Sequence, residues 1–294
     1  METLKNAVRI LSKRPSILIL TIILSTIICV VEYLFVILFF GITMLKTASP
    51  FDAYINIIQF VINTIIVPET AVKIIIALVF LVLSVALIFA LLLSGYFNIL
   101  NRAVSGKSKE RGSEFILGVK KYFLRMVSLN LWTLCSTIIF IIYVLIASIP
   151  AAIFIDNALN GEINIVIGVL FFILTILVLF FSYAFFRQYI VFWYPSALIY
   201  EKNHFKMAKK ISNINFWGLL SKFIVLDIVL VLFDVIYITS NFSNASGSGT
   251  INTILLVINI IFKTIYIALV VCFVFDSFKK CNDSYQFKKK VISK

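Results

Sequence analysis

The 294-residue chain is 62% hydrophobic and only 13% charged, with a mean hydropathy of +1.10, which excludes an ordinary water-soluble domain. Its apolar residues form runs long enough to cross a bilayer as helices, which takes about 20 residues. The formal charge of +13 lies between these runs, where it indicates membrane orientation rather than nucleic-acid binding. The composition therefore predicts an all-α, polytopic membrane bundle, with residues 1–294 forming a single integral membrane domain.

The first predicted element is a short amphipathic helix over residues 1–15, which places bases beside an apolar stripe and would lie on the membrane surface. Six predicted spans follow, each bounded by the limits of an apolar run. They cover residues 16–45, 72–97, 127–155, 163–194, 216–240 and 251–278. Residues 279–294 form a basic cytoplasmic tail.

Three segments between the predicted spans have distinct character. Ser49 and Pro50 resemble a helix N-cap and first helical residue, which predicts an amphipathic helix to Val67 on the outer surface, with a re-entrant segment as the alternative. The segment from Pro150 to Glu162 is predicted to be an acidic loop. The segment from Asn241 to Thr250 is predicted to be an uncharged turn.

The distribution of basic residues predicts the orientation of the chain. Residues 1–15, 102–125, 202–222 and 279–294 hold four, seven, five and six Lys or Arg, which together make 22 of the 26. Because basic residues accumulate on the cytoplasmic side of a membrane, both termini are assigned to the cytoplasm. The predicted location is the cell membrane, and high Lys, Ile and Asn usage suggests a bacterial source.

Polar residues interrupt the apolar runs of the last predicted hairpin. They are Asp227 and Asp234 in the fifth span and Asn259 and Lys263 in the sixth. In an antiparallel hairpin facing positions have a constant index sum, and this register places Asp227 opposite Lys263 and Asp234 opposite Asn259. We expect one intramembrane polar seam, which either fixes helix packing or takes part in transport.

Glu32 lies about 16 residues into the first span and has no charged partner on its own helix. It is either protonated, because burial disfavours a carboxylate, or joined to Lys263 across the bundle. A proton or cation relay through Glu32 and the seam is the functional alternative. Arg187, near the cytoplasmic end of the fourth span, is expected to extend its charge toward the interface.

Three cytoplasmic segments share a short pattern that predicts an internal repeat. Val8-Arg9-Ile10-Leu11, Val119-Lys120-Lys121-Tyr122 and Ala208-Lys209-Lys210-Ile211 each begin eight residues before a predicted span. The pattern predicts three units of a surface helix followed by a helical hairpin. Any basic amphipathic segment before a span would look similar, which is the alternative.

A family resemblance rests on three stretches of the sequence. They are Ser94-Gly95-Tyr96 through Asn101-Arg102, the run Phe115 to Arg125, and Tyr194-Pro195-Ser196-Ala197-Leu198-Ile199 with Glu201 and the segment Lys206 to Ser212. The chain resembles bacterial families of uncharacterised six-span membrane proteins, relatives of the membrane domain preceding some glycerophosphodiester phosphodiesterases. No soluble catalytic domain follows in this sequence, so the resemblance implies a helical membrane bundle without that activity.

Sequence motifs for catalysis and cofactor binding are absent. The ten glycines form neither a P-loop nor a dinucleotide fingerprint, and the single histidine, His204, excludes an H-E-x-x-H zinc site. Cys29, Cys135 and Cys272 lie in apolar runs and Cys281 in the basic tail, which predicts no disulfide framework. We therefore expect no enzyme activity, no cofactor and no metal.

The sequence leaves two function classes open. The first is a non-enzymatic accessory, assembly or protective membrane protein, similar to an immunity protein. The alternative is a transporter or permease subunit that moves a small or amphipathic solute through the polar seam. The expected partners are the bilayer, anionic lipids at the cytoplasmic face and another membrane protein.

Overall fold

A computed structural model describes residues 2–44, 67–107, 113–161, 164–243 and 249–292, and all regular structure in these residues is α-helical. The predicted all-α class is therefore confirmed. The helices of the described residues are α1 (Glu2–Lys13), α2 (Pro15–Met44), α3 (Pro68–Val104), α4 (Glu114–Leu159), α5 (Ile165–Ile199), α6 (His204–Ile214), α7 (Phe216–Ser243) and α8 (Gly249–Ile292).

Five of these helices contain segments long and apolar enough to cross a membrane by length and composition. The segments are Pro15–Tyr33, Pro68–Val104, Glu114–Ala158, Ile165–Ile199 and Thr253–Phe287. The 28-residue α7, which is the predicted fifth span, is not among them and carries Lys222, Asp227 and Asp234. The described residues thus have the architecture of a multi-pass helical membrane protein.

The exposed surfaces of the long helices agree with this architecture. In the most apolar window of α5 only 6% of the residues are buried within the protein. Water-soluble monomers do not leave such large continuous apolar surfaces uncovered. A lipid environment explains how α5 can expose apolar side chains along its length.

Two short helices precede long ones, as the sequence predicts. α1 is separated from α2 by Arg14 alone, because Pro15 cannot continue the hydrogen-bond ladder of α1 and instead begins α2. α6 is separated from α7 at Asn215, whose φ of −135° is not helical. The short helix predicted before the third span does not exist as a separate element, since α4 contains no proline or glycine where it would have to end.

The predicted segments between spans are shorter in the structure. α4 continues through Pro150 to Leu159, so most of the loop predicted from Pro150 to Glu162 is helical, and the chain leaves the helix at Gly161 with φ +79°. Only residues 244–248 separate the described parts of α7 and α8, within the predicted uncharged turn. The surface helix predicted from Ser49 to Val67 lies outside the described residues except for Val67, which is not helical.

The chain divides into two compact units. The first consists of Met1–Glu32, Leu91–Met126 and Ala184–Lys294, and the second of Tyr33–Ala90 and Val127–Tyr183. The first unit has an aromatic core, in which the Phe97 ring lies 5.2 Å from the rings of both Tyr194 and Phe275. In this unit α8 packs against α1, α6 and α7, so it is the central helix of the unit.

The second unit has its own packing contacts. Phe154 of α4 stacks on Phe171 of α5 with ring centroids 4.1 Å apart. The buried Asn130 side chain donates a 3.1 Å hydrogen bond to the backbone carbonyl of Ala86. This bond satisfies a polar side chain among apolar neighbours, where an unpaired amide would destabilise the fold.

Candidate functional site

An ion cluster of three residues joins three helices of the first unit. The Lys263 ammonium of α8 contacts the carboxylate of Glu32 on α2, and it lies 3.3 Å from the Asp234 carboxylate on α7. We call Glu32, Asp234 and Lys263 the Lys263 cluster. It confirms the sequence interpretation in which Glu32 joins Lys263 across the bundle.

The three side chains of the Lys263 cluster differ in burial. The Lys263 side chain is 6% exposed, whereas those of Glu32 and Asp234 are 42% and 33% exposed. A buried ammonium without a partner would be strongly disfavoured, and two carboxylates at its tip replace the water it loses. With all three groups ionised the cluster carries one negative charge in excess.

Small polar residues extend the cluster along one face of α2. Ser25 and Thr264 share a 2.6 Å hydrogen bond between their hydroxyls, and Thr21 shares a 2.9 Å bond with Tyr96. These contacts were not predicted from the sequence. The signal was the spacing of Thr21, Ser25 and Glu32, which places all three on one side of a helix.

A second ion pair joins α5 to α7. Arg187 contacts the Asp227 carboxylate, and its guanidinium also lies 4.9 Å from the centroid of the Phe223 ring. The predicted pairing of Asp227 with Lys263 is therefore wrong, and so is the expectation that Arg187 extends toward the interface. The hairpin register considered only α7 and α8, whereas the partner of Asp227 comes from α5.

The partner of Asp234 on α8 also differs from the predicted one. Asp234 contacts Lys263, which lies four residues after the predicted Asn259. Asn259 is almost completely buried, and its side-chain carbonyl has no hydrogen-bond partner among the described residues. The single predicted seam is thus two separate ion clusters, with Asn259 one turn from the first of them.

His204, at the start of α6, lies outside the long apolar helices. Both of its ring nitrogens are buried and have no hydrogen-bond partner in the described part of the chain. Burial lowers the pKa of the imidazole below its ordinary value of 6.5, and the positive charge of Arg125 lowers it further. The ring is therefore neutral at pH 7.

The Arg187–Asp227 pair leads to a double-mutant prediction. We expect Asp227→Ala to lower the free energy of unfolding by about 3 kcal/mol, because it leaves the Arg187 guanidinium buried without its counter-ion. Adding Arg187→Ala should recover much of this loss, because neither charge then remains. The measurement is thermal or denaturant unfolding of the purified full chain in detergent.

The matched control for this cycle is Asp227→Ala combined with Lys263→Ala. These two residues belong to different clusters, so their losses should add. Coupling of Asp227 to Lys263, with no coupling to Arg187, would restore the register predicted from the sequence and contradict the structure.

The lowered pKa of His204 predicts that the free energy of unfolding depends on pH. Above pH 6.5 the imidazole is neutral in both the folded and the unfolded chain and contributes nothing. As the pH falls through 6.5 the unfolded chain binds a proton that the folded protein binds only at lower pH, so the free energy of unfolding decreases. Comparing unfolding midpoints at pH 7.5 and 5.5 should show a smaller decrease in His204→Gln than in the unmodified protein. An equal decrease in both would mean that another group titrates.

Among the described residues no group of three His, Cys, Asp or Glu side chains is arranged to hold a metal ion. The chain matches no family model, no curated protein and no solved structure. Function is therefore inferred from the architecture and from the two ion clusters.

Proposed function

We propose that the protein is a non-enzymatic, six-span integral membrane protein of the cell membrane with an accessory, assembly or protective role. The observation that carries this proposal is that carboxylates of other helices bind both Lys263 and Arg187. Lys263 is bound by Glu32 and Asp234, and Arg187 is bound by Asp227. Such pairs fix the packing of helices without requiring a substrate.

The position of the clusters supports a packing role. The Lys263 cluster links α2, α7 and α8, and the second pair links α5 to α7. Among the described residues of the first unit, the cavities of about 420 and 330 Å³ are lined by no residue of the two clusters. A solute pathway would instead be expected to place its charged groups in a cavity.

The six-span topology follows if α7 is counted as a span. Its two acidic residues, Asp227 and Asp234, each have a basic partner on another helix, which lowers the cost of placing α7 in lipid. Six spans place both termini on the same side, and the positive-inside rule assigns that side to the cytoplasm. Anionic lipids are then the expected partners of the basic cytoplasmic segments.

The three-unit repeat is part of the proposal. Leu11, Tyr122 and Ile211 occupy the same position in the three repeated segments, and all three are buried. Arg14 and Arg125, also at equivalent positions, each donate to a backbone carbonyl near the end of a long helix, at Lys107 and Ala197 respectively. These shared contacts support a common origin of the segments.

The transporter alternative is favoured by one observation. The Lys263 cluster has two carboxylates for one ammonium, so one acidic group is in excess. A carboxylate that binds and releases a proton or cation is what a coupled carrier requires.

Single substitutions that replace a carboxylate by its neutral amide distinguish the packing role from the transporter. Glu32→Gln and Asp234→Asn each leave Lys263 with one carboxylate, so the protein should fold and reach normal abundance. If the cluster only fixes packing, each variant should keep the cellular phenotype of the unmodified gene within about twofold at matched abundance. Loss of the phenotype in both variants, with normal abundance in the membrane, would support the transporter instead.

The topology predicts which introduced cysteines react on intact cells. In a background with Cys29, Cys135, Cys272 and Cys281 changed to Ser, a Ser246→Cys variant should react with a membrane-impermeant maleimide. A Lys202→Cys variant should react only after the cells are permeabilised, because it lies in a basic segment assigned to the cytoplasm. Labelling of the Lys202→Cys variant in sealed cells would overturn the orientation.

A further inference from the structure

A basic crevice lies between α1, the end of α3 and α8 in the first unit. It contains a cavity of about 330 Å³ that is lined by Asn6 and Arg9 of α1, by Arg14 between α1 and α2, by Lys107 after α3, and by Asp276 of α8. This volume lies at the lower end of the range typical of small-molecule sites, which is about 300–1,000 Å³. The crevice is therefore large enough for a small polar group.

Two acidic groups in and around the crevice, Glu114 and Asp276, are bound by basic side chains of the described residues. Glu114 is bound by Arg14 at 2.8 Å and faces Arg102 at 3.3 Å. Asp276 is bound by Lys280 at 3.0 Å. Arg9 and Lys107, both exposed, add positive charge beyond these pairs. The crevice therefore has an excess of positive charge.

The end of α3 would normally disfavour an anion, because the last carbonyls of a helix carry partial negative charge. In this crevice two cations offset that charge. Lys279 donates to the carbonyl of Val104, the last residue of α3, at 3.1 Å, and Arg14 donates to the carbonyl of Lys107, three residues beyond the helix, at 2.6 Å. Both bonds bring positive charge to the end of α3.

We propose that this crevice binds the phosphate of an anionic phospholipid headgroup, with Arg9 and Lys107 as its principal contacts. The crevice follows directly after the apolar segment of α3 and is walled by the amphipathic α1, so it lies where the apolar surface gives way to basic residues. Basic pockets in this position suit lipid headgroups. The inference rests on the membrane topology proposed above and names the site at which anionic lipid acts.

Native mass spectrometry of the detergent-purified full chain tests the site. The protein is titrated with dioleoyl phosphatidylglycerol and, separately, with zwitterionic dioleoyl phosphatidylcholine. We expect tighter binding of phosphatidylglycerol, and about a 25-fold loss of its affinity in Arg9→Ala with Lys107→Ala, because each base contributes roughly fivefold at an anionic lipid surface. The charge-preserving pair Arg9→Lys with Lys107→Arg should retain most of the affinity.

The matched control is Lys209→Ala with Lys210→Ala, which removes two exposed bases of α6 outside the crevice. An equal loss in this control, or equal affinity for the two lipids, would overturn the site. Displacement of phosphatidylglycerol by 10 mM inorganic phosphate would overturn the lipid assignment in favour of free phosphate. Unchanged unfolding midpoints exclude misfolding as the cause of a loss, and the isostere phenotypes test the proposed function separately.

Discussion

An ammonium group among apolar helices needs anionic partners, and this requirement organises the first unit. Lys263 is bound by Glu32 and Asp234. The helices α2, α7 and α8 must therefore each turn the face that carries its charged residue toward the other two, at the same height along the bundle. Apolar contacts alone would tolerate a small rotation of any of these helices, because lipid and neighbouring side chains are equally apolar. The buried charge removes that freedom, since a rotation that withdrew a carboxylate would leave the ammonium unpaired.

The same requirement explains why part of the site could be predicted from the sequence and part could not. The helices were predictable because an apolar run of this length can satisfy its backbone hydrogen bonds in a membrane only as a helix. The need of Lys263 for an acidic partner was evident because the residue lies in the middle of an apolar run. The partner of Asp227 was not predictable from hairpin register, because Arg187 belongs to a helix that precedes the hairpin. The continuity of α4 was also not predicted. The basic residues before the third span suggested a separate surface helix, but no proline or glycine ends the helix between them and the span.

The polar residues of the first unit divide into two groups with different physical roles. In the two ion clusters opposite charges meet among apolar helices, and the result is fixed packing. Around the basic crevice, carboxylates are outnumbered and the remaining charge is available to an external anion. The proposed function and the proposed lipid site thus follow from one criterion, namely whether the basic residues of a group are matched by carboxylates within the protein.

α8 connects these two groups mechanically. It is one helix from Gly249 to Ile292, with Lys263 in one half and Asp276 and Lys279 about 20–24 Å further along, at 1.5 Å per residue. An uninterrupted helix transmits rotation about its axis along its whole length. A rotation of α8 at the crevice would therefore also turn Lys263, where the contacts with two carboxylates oppose it.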